Sequence, residues 1–440
     1  MPNLHIGNVA EFNEQYGVSA DDGVRRLVRE ECDCYGAIAP FLSTDPGLVV
    51  LSRNGADSRW WDLLGERLRW ESLQPYSVDV TMDESLCDAA SKDAFVVGEL
   101  SEVVNRGDQA IPWGESPSYR QLVSTLPPER ASRSANAQIQ AWAESKANFG
   151  TIADCALARS PDDGVKLPVT IICHSETELL DALRSVASDG ARLLLKAEFG
   201  VGGFGTTVIQ PEWAQTAAAR QACLAGLRQS DERFTRWPVV VQEYVPRSRL
   251  TSGDLTGDAE VAHDGLVSFR SGATMLVDST HYSGAVTACG SHFPPAVWER
   301  VRRFTLAVGE ELATRGYRGW YDVDFIESLT GQLMPLELNA RRTGPIVAHT
   351  IGQRVSMIHG RPVVAAVYDA FPLPRRIDDD KVFEAFAKLN SGSLYPPIPT
   401  AFLGTAASSP KIGLGVVGET ALEAVACMNA AADELLRMLA

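Results

Sequence analysis

The chain has 440 residues, 45% of them hydrophobic and 22% charged, which is the composition of a globular protein with about three domains or subdomains. Its 40 basic and 56 acidic residues give a formal net charge of −16, and no basic run is present, so nucleic-acid binding is not expected. No stretch approaches the ~20 apolar residues of a membrane span, and the first residues lack the pattern of a signal peptide. We therefore expect a cytoplasmic protein.

The first 137 residues predict a small α/β unit. Helices are predicted over 20–31 and 60–69, and buried strands over 46–54 and 94–100. The polar, Pro- and Ser-rich stretch that ends near residue 137 marks a domain boundary.

Longer helices and strands follow from residue 138. The predicted helices are one that begins at 138 and continues through Lys146, 175–187, 212–229, 295–316 and one from about 420. The predicted strands are 167–175, 192–199, 206–210, 237–246, 265–277, 319–328, 332–341 and 413–417. Ser175 with Glu178, and Thr420 with Glu423, have the spacing of a capping box at the start of a helix.

The eight cysteines are scattered, and only Cys32 and Cys34 lie close together. A single C-x-C pair is a weak metal signal, so buried or inert thiols are the simpler interpretation. The acidic net charge leaves room for a cationic ligand.

A glycine-rich segment separates two of the predicted strands. It contains Gly200, Gly202, Gly203 and Gly205 and formally spells G-x-G-x-x-G. The dinucleotide-binding form of this motif requires a helix at the loop, whereas β-branched strand formers follow here, so an antiparallel hairpin is the better interpretation. Such a hairpin can donate backbone N–H groups to phosphates, and a plain glycine-rich turn is the equal alternative.

Lys196 favours the phosphate interpretation. It lies on the strand that enters the hairpin and follows three leucines, so its surroundings are expected to be apolar. A lysine there needs an anionic partner such as a nucleotide phosphate, although a side chain that extends to the surface is the alternative.

Polar residues on the strands over 319–341 form the strongest constellation. Glu337 and Asn339 are two residues apart and share a face, and the tight turn before them can bring Asp324 close. Two carboxylates and an amide oxygen suit Mg²⁺, while a solvated sheet face is the alternative. Arg341 continues this face and could bind a phosphoryl or carboxylate group, and Leu336 and Leu338 are expected to point into a core.

These segments together resemble the ATP-grasp ligase superfamily, in the order K-A-E-F-G-V-G-G-F-G, V-V-V-Q-E-Y-V-P and D-V-D-F-I-E with L-E-L-N-A-R. The resemblance implies an α/β ATP-grasp fold and ATP and Mg²⁺ as cofactors. It divides the chain into an N-terminal α/β domain (1–137), a small subdomain (138–248), a large subdomain (249–370) and a C-terminal extension (371–440).

The resemblance also implies residue roles. Lys146 and Lys196 would contact phosphates together with the glycine hairpin, and Arg341 and Lys196 would be catalytic. The adenine hinge would comprise Gln242, Glu243 and Val245, with Asp254 as a substitute for the ribose-binding acid. The magnesium ligands would be Asp324, Glu337 and Asn339.

Two departures and several alternatives stay open. Asp322 stands where some members carry an arginine. Arg341, Arg270 or another group would therefore have to stabilise the negative charge of the transition state. His281, His292 and His349 are candidates for the amine base by residue type alone. Substrate loops are expected over 247–263, 278–294 and 390–412.

Over its full length the chain resembles peptide ligases of the pheganomycin-biosynthesis type. That resemblance implies a guanidino-bearing amino acid as acyl donor, a peptide acceptor and a role in peptide antibiotic biosynthesis. The alternatives are a ligase for free amino acids, a kinase and a non-catalytic ATP-binding module. A kinase is the least expected of these, because the H-R-D and D-F-G motifs of kinases are absent from this sequence. The sequence does not fix the oligomeric state, and a homo-oligomer is compatible with it.

Overall fold

A computed structural model describes residues 3–16, 22–52, 58–81, 83–108, 110–124, 137–187, 192–247, 254–278, 280–287, 294–389, 395–401 and 410–440. The N-terminal unit is built on a four-stranded parallel sheet in the order β3-β2-β1-β4, comprising β1 (Asn3–Ile6), β2 (Pro46–Ser52), β3 (Gln74–Val78) and β4 (Ala110–Pro112). The helices of this unit are Val9–Glu14, Asp22–Tyr35, the 3-10 helix Gly36–Leu42, Ser58–Leu68, Leu86–Ala90, Ala94–Asn105 and Pro117–Ser124.

One element of this unit differs from its prediction. Residues 94–100 belong to a helix, Ala94–Asn105, and not to a strand. The Asp93 side chain caps the helix by accepting from the backbone N–H groups of Phe95 and Val96. The buried Val96, Leu100 and Val103 recur at helical spacing, a pattern that the apolar run A-F-V-V-G-E-L conceals because it covers only two turns.

A second sheet has four antiparallel strands in the order β5-β8-β6-β7. Its strands are β5 (Thr170–Cys173), β6 (Leu193–Ala197), β7 (Thr206–Ile209) and β8 (Val239–Glu243). The associated helices are Ala137–Glu144, Phe149–Arg159, Glu176–Ala187, Pro211–Ala214, Ala217–Ser230 and the 3-10 helix Glu232–Thr235. The helix predicted from 138 ends at Glu144, so Lys146 lies just beyond it.

The third sheet has eight strands in the order β13-β12-β9-β10-β11-β14-β16-β15. They are β9 (Asp254–Val261), β10 (Val267–Asp278), β11 (His281–Thr287), β12 (Gly319–Glu327), β13 (Leu333–Asn339), β14 (Val364–Pro372), β15 (Ile398–Pro399) and β16 (Lys411–Gly418). The helices Pro295–Thr314, Pro345–His359, Asp379–Lys388 and Ala421–Leu439 accompany this sheet.

Three strands of this sheet lie where loops were expected, and the shortest of them is β15, within 390–412. Strand β9 falls within 247–263, and strand β11 falls within 278–294. The sequence of β9, D-L-T-G-D-A-E-V, pairs with β12 over its whole length. Gly and Asp are poor strand formers, so the sequence concealed a strand that the sheet buries. Other parts of the three expected loops, 248–253, 279, 288–293, 390–394 and 402–409, lie outside the described residues, and the remainder is described.

The N-terminal unit packs directly against the large sheet. One hydrophobic cluster joins Phe12 and Phe41 of that unit to Ile346 and Ile351 of the helix Pro345–His359 and to Val367 of β14. The first unit therefore forms part of the wall around the polar residues described next. Within the described ranges, no helix is both long and apolar enough to span a membrane.

Candidate active site

The glycine segment forms the loop of an antiparallel hairpin between β6 and β7. Lys196 pairs with Thr206 across the hairpin, as expected from the β-branched residues after the loop. Gly202, Gly203 and Gly205 have φ angles of 61°, 94° and 75°, which side-chain-bearing residues adopt rarely. Glycine is therefore needed here for the backbone conformation itself.

The tip of this hairpin rests on the turn between β10 and β11. A Cβ atom on Gly203 would lie 2.0 Å from the carbonyl oxygen of Thr280, so only glycine permits this approach. The Phe204 ring packs edge-on against His281, with 5.7 Å between the ring centroids. The hairpin thus covers the start of β11, and the exposed His281 takes part in this contact.

Two buried lysines converge on Glu337. The Glu337 Oε2 atom lies 3.4 Å from Lys196 Nζ and 3.6 Å from Lys146 Nζ. The two lysine residues are only 4% and 9% exposed, respectively. Burial would raise the pKa of Glu337, but the two ammonium groups outweigh it and lower the pKa to about 2. Glu337 is therefore an anion at neutral pH.

The position of Lys146 is fixed from the hairpin side. Its backbone N–H donates to the carbonyl of Glu198 at 3.0 Å, and its Nζ donates to the carbonyl of Gly200 at 3.4 Å. The Ser145 hydroxyl also donates to Glu198 Oε1 at 2.7 Å. The segment after the helix Ala137–Glu144 is thus tied to the entrance of the glycine loop, and both lysines face the same carboxylate.

The pairing of β12 with β13 brings the three expected metal ligands together. Asp324 lies directly opposite Glu337. Asn339 Nδ2 donates to Asp324 Oδ2 at 3.3 Å and to Asp322 Oδ1 at 2.8 Å. Asp324 Oδ1 is buried and accepts no hydrogen bond. Burial and the neighbouring carboxylates Asp322 and Glu337 raise the pKa of Asp324 well above its usual range.

This unpaired oxygen is the feature that fits a cation. An anionic Asp324 beside two further carboxylates is unfavourable unless a positive charge lies between them. Within the described ranges, however, no three Asp, Glu, His or Cys side chains are already arranged as a metal-binding group. Asp324, Glu337 and Asn339 would therefore hold Mg²⁺ together with ligands from a nucleotide, as Mg²⁺ sites commonly do.

Arg341 lies at the end of the same strand and is almost fully buried. Its NH1 group forms an ion pair with Glu144, and its NH2 group donates to Asn339 Oδ1 at 3.0 Å. The guanidinium carbon also lies 5.6 Å from the centroid of the Phe12 ring. Burial would lower the pKa of Arg341, but the charges of Glu144 and Asp322 outweigh it and raise the pKa. The guanidinium is thus a fixed positive charge beside Asn339.

Sequence reasoning missed several polar residues of the site. Asp258 and Asp322 lie opposite each other on β9 and β12, and both are fully or almost fully buried. Asp322 accepts from Thr343 Oγ1 at 2.6 Å as well as from Asn339. The signal for Asp322 was available, because it is two residues from Asp324 and period-two alternation places both on one face. Glu144 gave no comparable signal, since its partner is distant in sequence.

The expected hinge adjoins a small apolar cluster. Val245 packs with Ile326, Met334 and Leu336. Leu336 was expected to point into the same core as Leu338, which is wrong because the register between β12 and β13 shifts after Asp324. The shift turns Leu336 towards Val245.

Gln242 and Glu243 lie on β8, next to this cluster. Gln242 Nε2 donates to Thr170 Oγ1 at 3.2 Å, and its buried Oε1 accepts no hydrogen bond. The backbone N–H of Glu243 already donates to the carbonyl of Val169 at 2.8 Å. An adenine ring at this hinge would therefore find a free amide oxygen at Gln242 and an apolar surface at Val245.

Three other candidates are Asp254, Arg270 and His349. Asp254 begins β9 and forms an ion pair with Arg247 at 2.5 Å. Arg270 pairs with Glu260 at 2.6 Å. His349 is half-buried, and its desolvation with the charge of Arg270 lowers its pKa to about 4.

The remaining candidates are His292 and the pair Cys32 and Cys34. His292 lies outside the described residues. Cys32 and Cys34 are free thiols, and burial raises the pKa of each to about 12, so both stay protonated and unreactive.

We predict that Lys196→Ala weakens ATP binding by about 10- to 100-fold, because a charged hydrogen bond contributes about 1.5–3 kcal/mol. Among the described residues, Lys196 Nζ donates to Glu337 and to the carbonyl of Leu336. The measurement is the Kd for ATP by calorimetric titration, with the exposed Lys166→Ala as the control. An unchanged Kd in the Lys196 variant would remove its phosphate role.

The sequence matches no protein-family model and no curated protein. Its fold, in contrast, is similar to solved structures. Biotin carboxylase from Campylobacter jejuni, in a β-γ-ATP complex, has a TM-score of 0.57 and 11% identity, with 93% of this chain and 92% of that chain covered. The biotin carboxylase domain of Hydrogenobacter thermophilus 2-oxoglutarate carboxylase, with MgADP and bicarbonate, has a TM-score of 0.55 and 12% identity, with 91% and 86% covered.

A third neighbour is N5-carboxyaminoimidazole synthase from Aspergillus clavatus, solved with ADP and its aminoimidazole ribonucleotide. Its TM-score is 0.51 at 11% identity, with 89% of this chain and 99% of that chain covered. This chain has the ATP-grasp fold. The coverage shows that the likeness extends over most of the chain and is not confined to the lysine hairpin. At 10–12% identity the likeness establishes the fold and leaves the chemistry to the site residues.

Proposed function

We propose that this protein is an ATP-dependent, ADP-forming ligase that joins a carboxylate to an amine. The observation that carries the proposal is the convergence of Lys146 and Lys196 on Glu337, directly opposite Asp324 and beside the glycine hairpin. Two buried ammonium groups and an unpaired carboxylate oxygen suit a triphosphate and its divalent cation. The solved neighbours that contain ADP support a nucleotide in this fold.

The reaction would proceed through an acyl phosphate. A carboxylate is a poor electrophile, so it first attacks the γ-phosphate of ATP and ADP leaves. An amine then attacks the acyl carbon, phosphate leaves, and the amine loses a proton to form the amide. Bound Mg²⁺ would neutralise phosphate charge at Asp324, Glu337 and Asn339.

The residues of the chain would position these groups and limit side reactions. Lys146 and Lys196 would bind the phosphate oxygens, and Arg341, held by Glu144 and Asn339, would orient the carboxylate or its acyl phosphate. The glycine hairpin, whose tip lies against Thr280, would exclude water from the intermediate. The side chains of Lys146, Lys196 and Arg341 are already buried in the positions that these roles require.

The finer proposal concerns the substrates. We propose a guanidino-bearing, non-proteinogenic amino acid as the acyl donor and the N-terminal amine of a peptide as the acceptor, in cytoplasmic peptide antibiotic biosynthesis. The net charge of −16 is compatible with a cationic donor. The full-length resemblance to pheganomycin-type peptide ligases supports the peptide acceptor.

Turnover of ATP with and without a peptide acceptor tests the proposal. We expect ADP formation that depends on both a carboxylate and an amine, together with a product lighter than its two substrates by one water. Equal turnover with free amino acids would replace the peptide acceptor. A phosphorylated product would indicate a kinase, and ATP binding without any product would indicate a non-catalytic module.

A further inference from the structure

A second group of buried acids lies beyond the lysine pair. We call it the Asp258–Asp369 cluster, and it consists of Asp258 on β9, Asp369 on β14, Tyr282 on β11, Trp320 on β12 and Tyr35 of the N-terminal unit. The cluster therefore joins strands of the large sheet to the first unit. None of its members was identified as a site residue from the sequence.

Asp369 lacks a complete set of partners. It is 3% exposed, and the Tyr35 hydroxyl donates to its Oδ2 at 2.8 Å. Its other oxygen, Oδ1, is buried and accepts no hydrogen bond, while the Tyr282 hydroxyl lies close enough to the carboxylate to lower its pKa. An unpaired carboxylate oxygen in the interior is costly, so this atom is suited to a donor that comes from outside the chain.

Asp258 is buried to the same degree. It is 0% exposed and accepts from Ser271 Oγ at 2.9 Å and from Trp320 Nε1 at 3.2 Å. Both donors are neutral. Burial and the charge of Asp369, with a smaller contribution from Asp258, raise the pKa of the Tyr282 hydroxyl, so both acids lie near that ring.

The two acids differ from Glu337 and Glu144 in charge balance. Glu337 faces two lysines, and Glu144 faces Arg341. In the described part of the chain, no lysine, arginine or histidine forms an ion pair with Asp258 or Asp369. Burial raises the pKa of Asp369 to about 7, against the effect of the two tyrosine hydroxyls, so a nearby cation would favour its ionised form.

The cluster is continuous with the proposed reaction site. Asp258 lies opposite Asp322, which shares the Asn339 amide with Asp324. On the other side, Gly344 follows Arg341 by three residues, and a Cβ on Gly344 would lie 2.5 Å from both Asp369 Oδ2 and the Tyr282 hydroxyl. A ligand could therefore place one end at Arg341 and another at these acids.

We propose that the Asp258–Asp369 cluster binds a positively charged nitrogen, ammonium or guanidinium, of an organic substrate. The inference rests on the proposed ligase function, because it takes the substrate to lie between Arg341 and this cluster. Two carboxylates supply the charge, and the tyrosine hydroxyls and the Trp320 ring enclose the cation. The cation belongs either to the side chain of the acyl donor or to the amine of the acceptor.

The test compares charged probes with neutral analogues of the same shape. N-acetyl-arginine against N-acetyl-citrulline represents the donor, and glycinamide against acetamide represents the acceptor. Affinities come from the rise in Tm with probe concentration, with MgADP present. We expect at least one charged probe to bind the wild-type protein about tenfold or more tightly than its neutral analogue. Asp369→Asn should remove that difference, while the exposed Asp278→Asn keeps it.

Each outcome decides the inference. Preference for N-acetyl-arginine assigns the cluster to the donor, and preference for glycinamide assigns it to the acceptor. Equal binding of charged and neutral probes by the wild-type protein would overturn the inference, even if Asp369→Asn fails to fold. A preference for charged probes that persists in Asp369→Asn would also overturn it. The same holds for a rise in Tm with MgCl₂ alone that Asp369→Asn abolishes.

The proposed function can fail separately. A protein that prefers the charged probes but forms no ADP with any carboxylate and amine would contradict the ligase and leave the cation site standing. A protein that ligates without a charge preference would contradict only the cation site.

Discussion

Glu337→Gln is expected to lower ligation by at least about 10²- to 10³-fold, the usual effect of removing one charged group aimed at a reacting centre. The substitution keeps the volume of the side chain but removes its negative charge. Lys146 and Lys196 would then face a neutral amide in place of the carboxylate, beside the backbone carbonyls that they already contact. The cation that Asp324 and Glu337 are proposed to hold would lose one of its two carboxylates. The measurement is ADP formation with saturating carboxylate and amine.

The matched control is Glu260→Gln on β9 of the same sheet, where the glutamate pairs with the partly exposed Arg270. We expect that variant to retain its turnover. Circular dichroism should show both variants to be folded, because neither substitution changes side-chain volume. Near-normal turnover in Glu337→Gln would remove this residue from the chemistry and, with it, the observation on which the ligase proposal rests.

Glu144→Ala is expected to destabilise the protein by about 3 kcal/mol, since removing one partner of a buried ion pair strands the other charge. Glu144 and Arg341 are 5% and 3% exposed at their side chains. Arg341 would keep only its bond to Asn339 and the more distant charge of Asp322. Because Asn339 is a proposed metal ligand, the variant should also lose activity. Urea unfolding measures the loss of stability.

The control for this prediction is Glu419→Ala, which breaks the exposed pair between Glu419 and Arg361. Exposed pairs contribute little, so the unfolding midpoint should hardly move. Equally small shifts of the unfolding midpoint in both variants would mean that water solvates the Arg341 guanidinium. The proposed fixed position of Arg341 would then be wrong.

Local sequence patterns were sufficient to predict the glycine hairpin and the pairing of Asp324 with Glu337. The β-branched residues after Gly205 predicted a hairpin, and the structure pairs Lys196 with Thr206 as that requires. The two-residue spacing of Glu337 and Asn339 and the tight turn before them placed Asp324 opposite Glu337. Such predictions succeed because strand periodicity and short turns fix which neighbours meet.

Other elements were misread because the local signal was weak or misleading. Residues 94–100 form part of a helix, since the Asp93 cap and the core contacts of Val96 and Leu100 outweigh the β-branched run. The sequence of the polar strand β9 predicts a loop, because Asp and Gly are unfavourable in strands. Burial between β10 and β12 nevertheless makes it a strand.

The amino-acid sequence by itself determined the hairpin, the lysine on its first strand and the paired carboxylates of β12 and β13, because each depends on residues close together along the chain. Only the tertiary structure decided that Glu144 holds Arg341 and that Tyr35 reaches Asp369, contacts that span 197 and 334 residues. Contacts at such separations depend on how whole sheets and helices pack, and no local spacing encodes them.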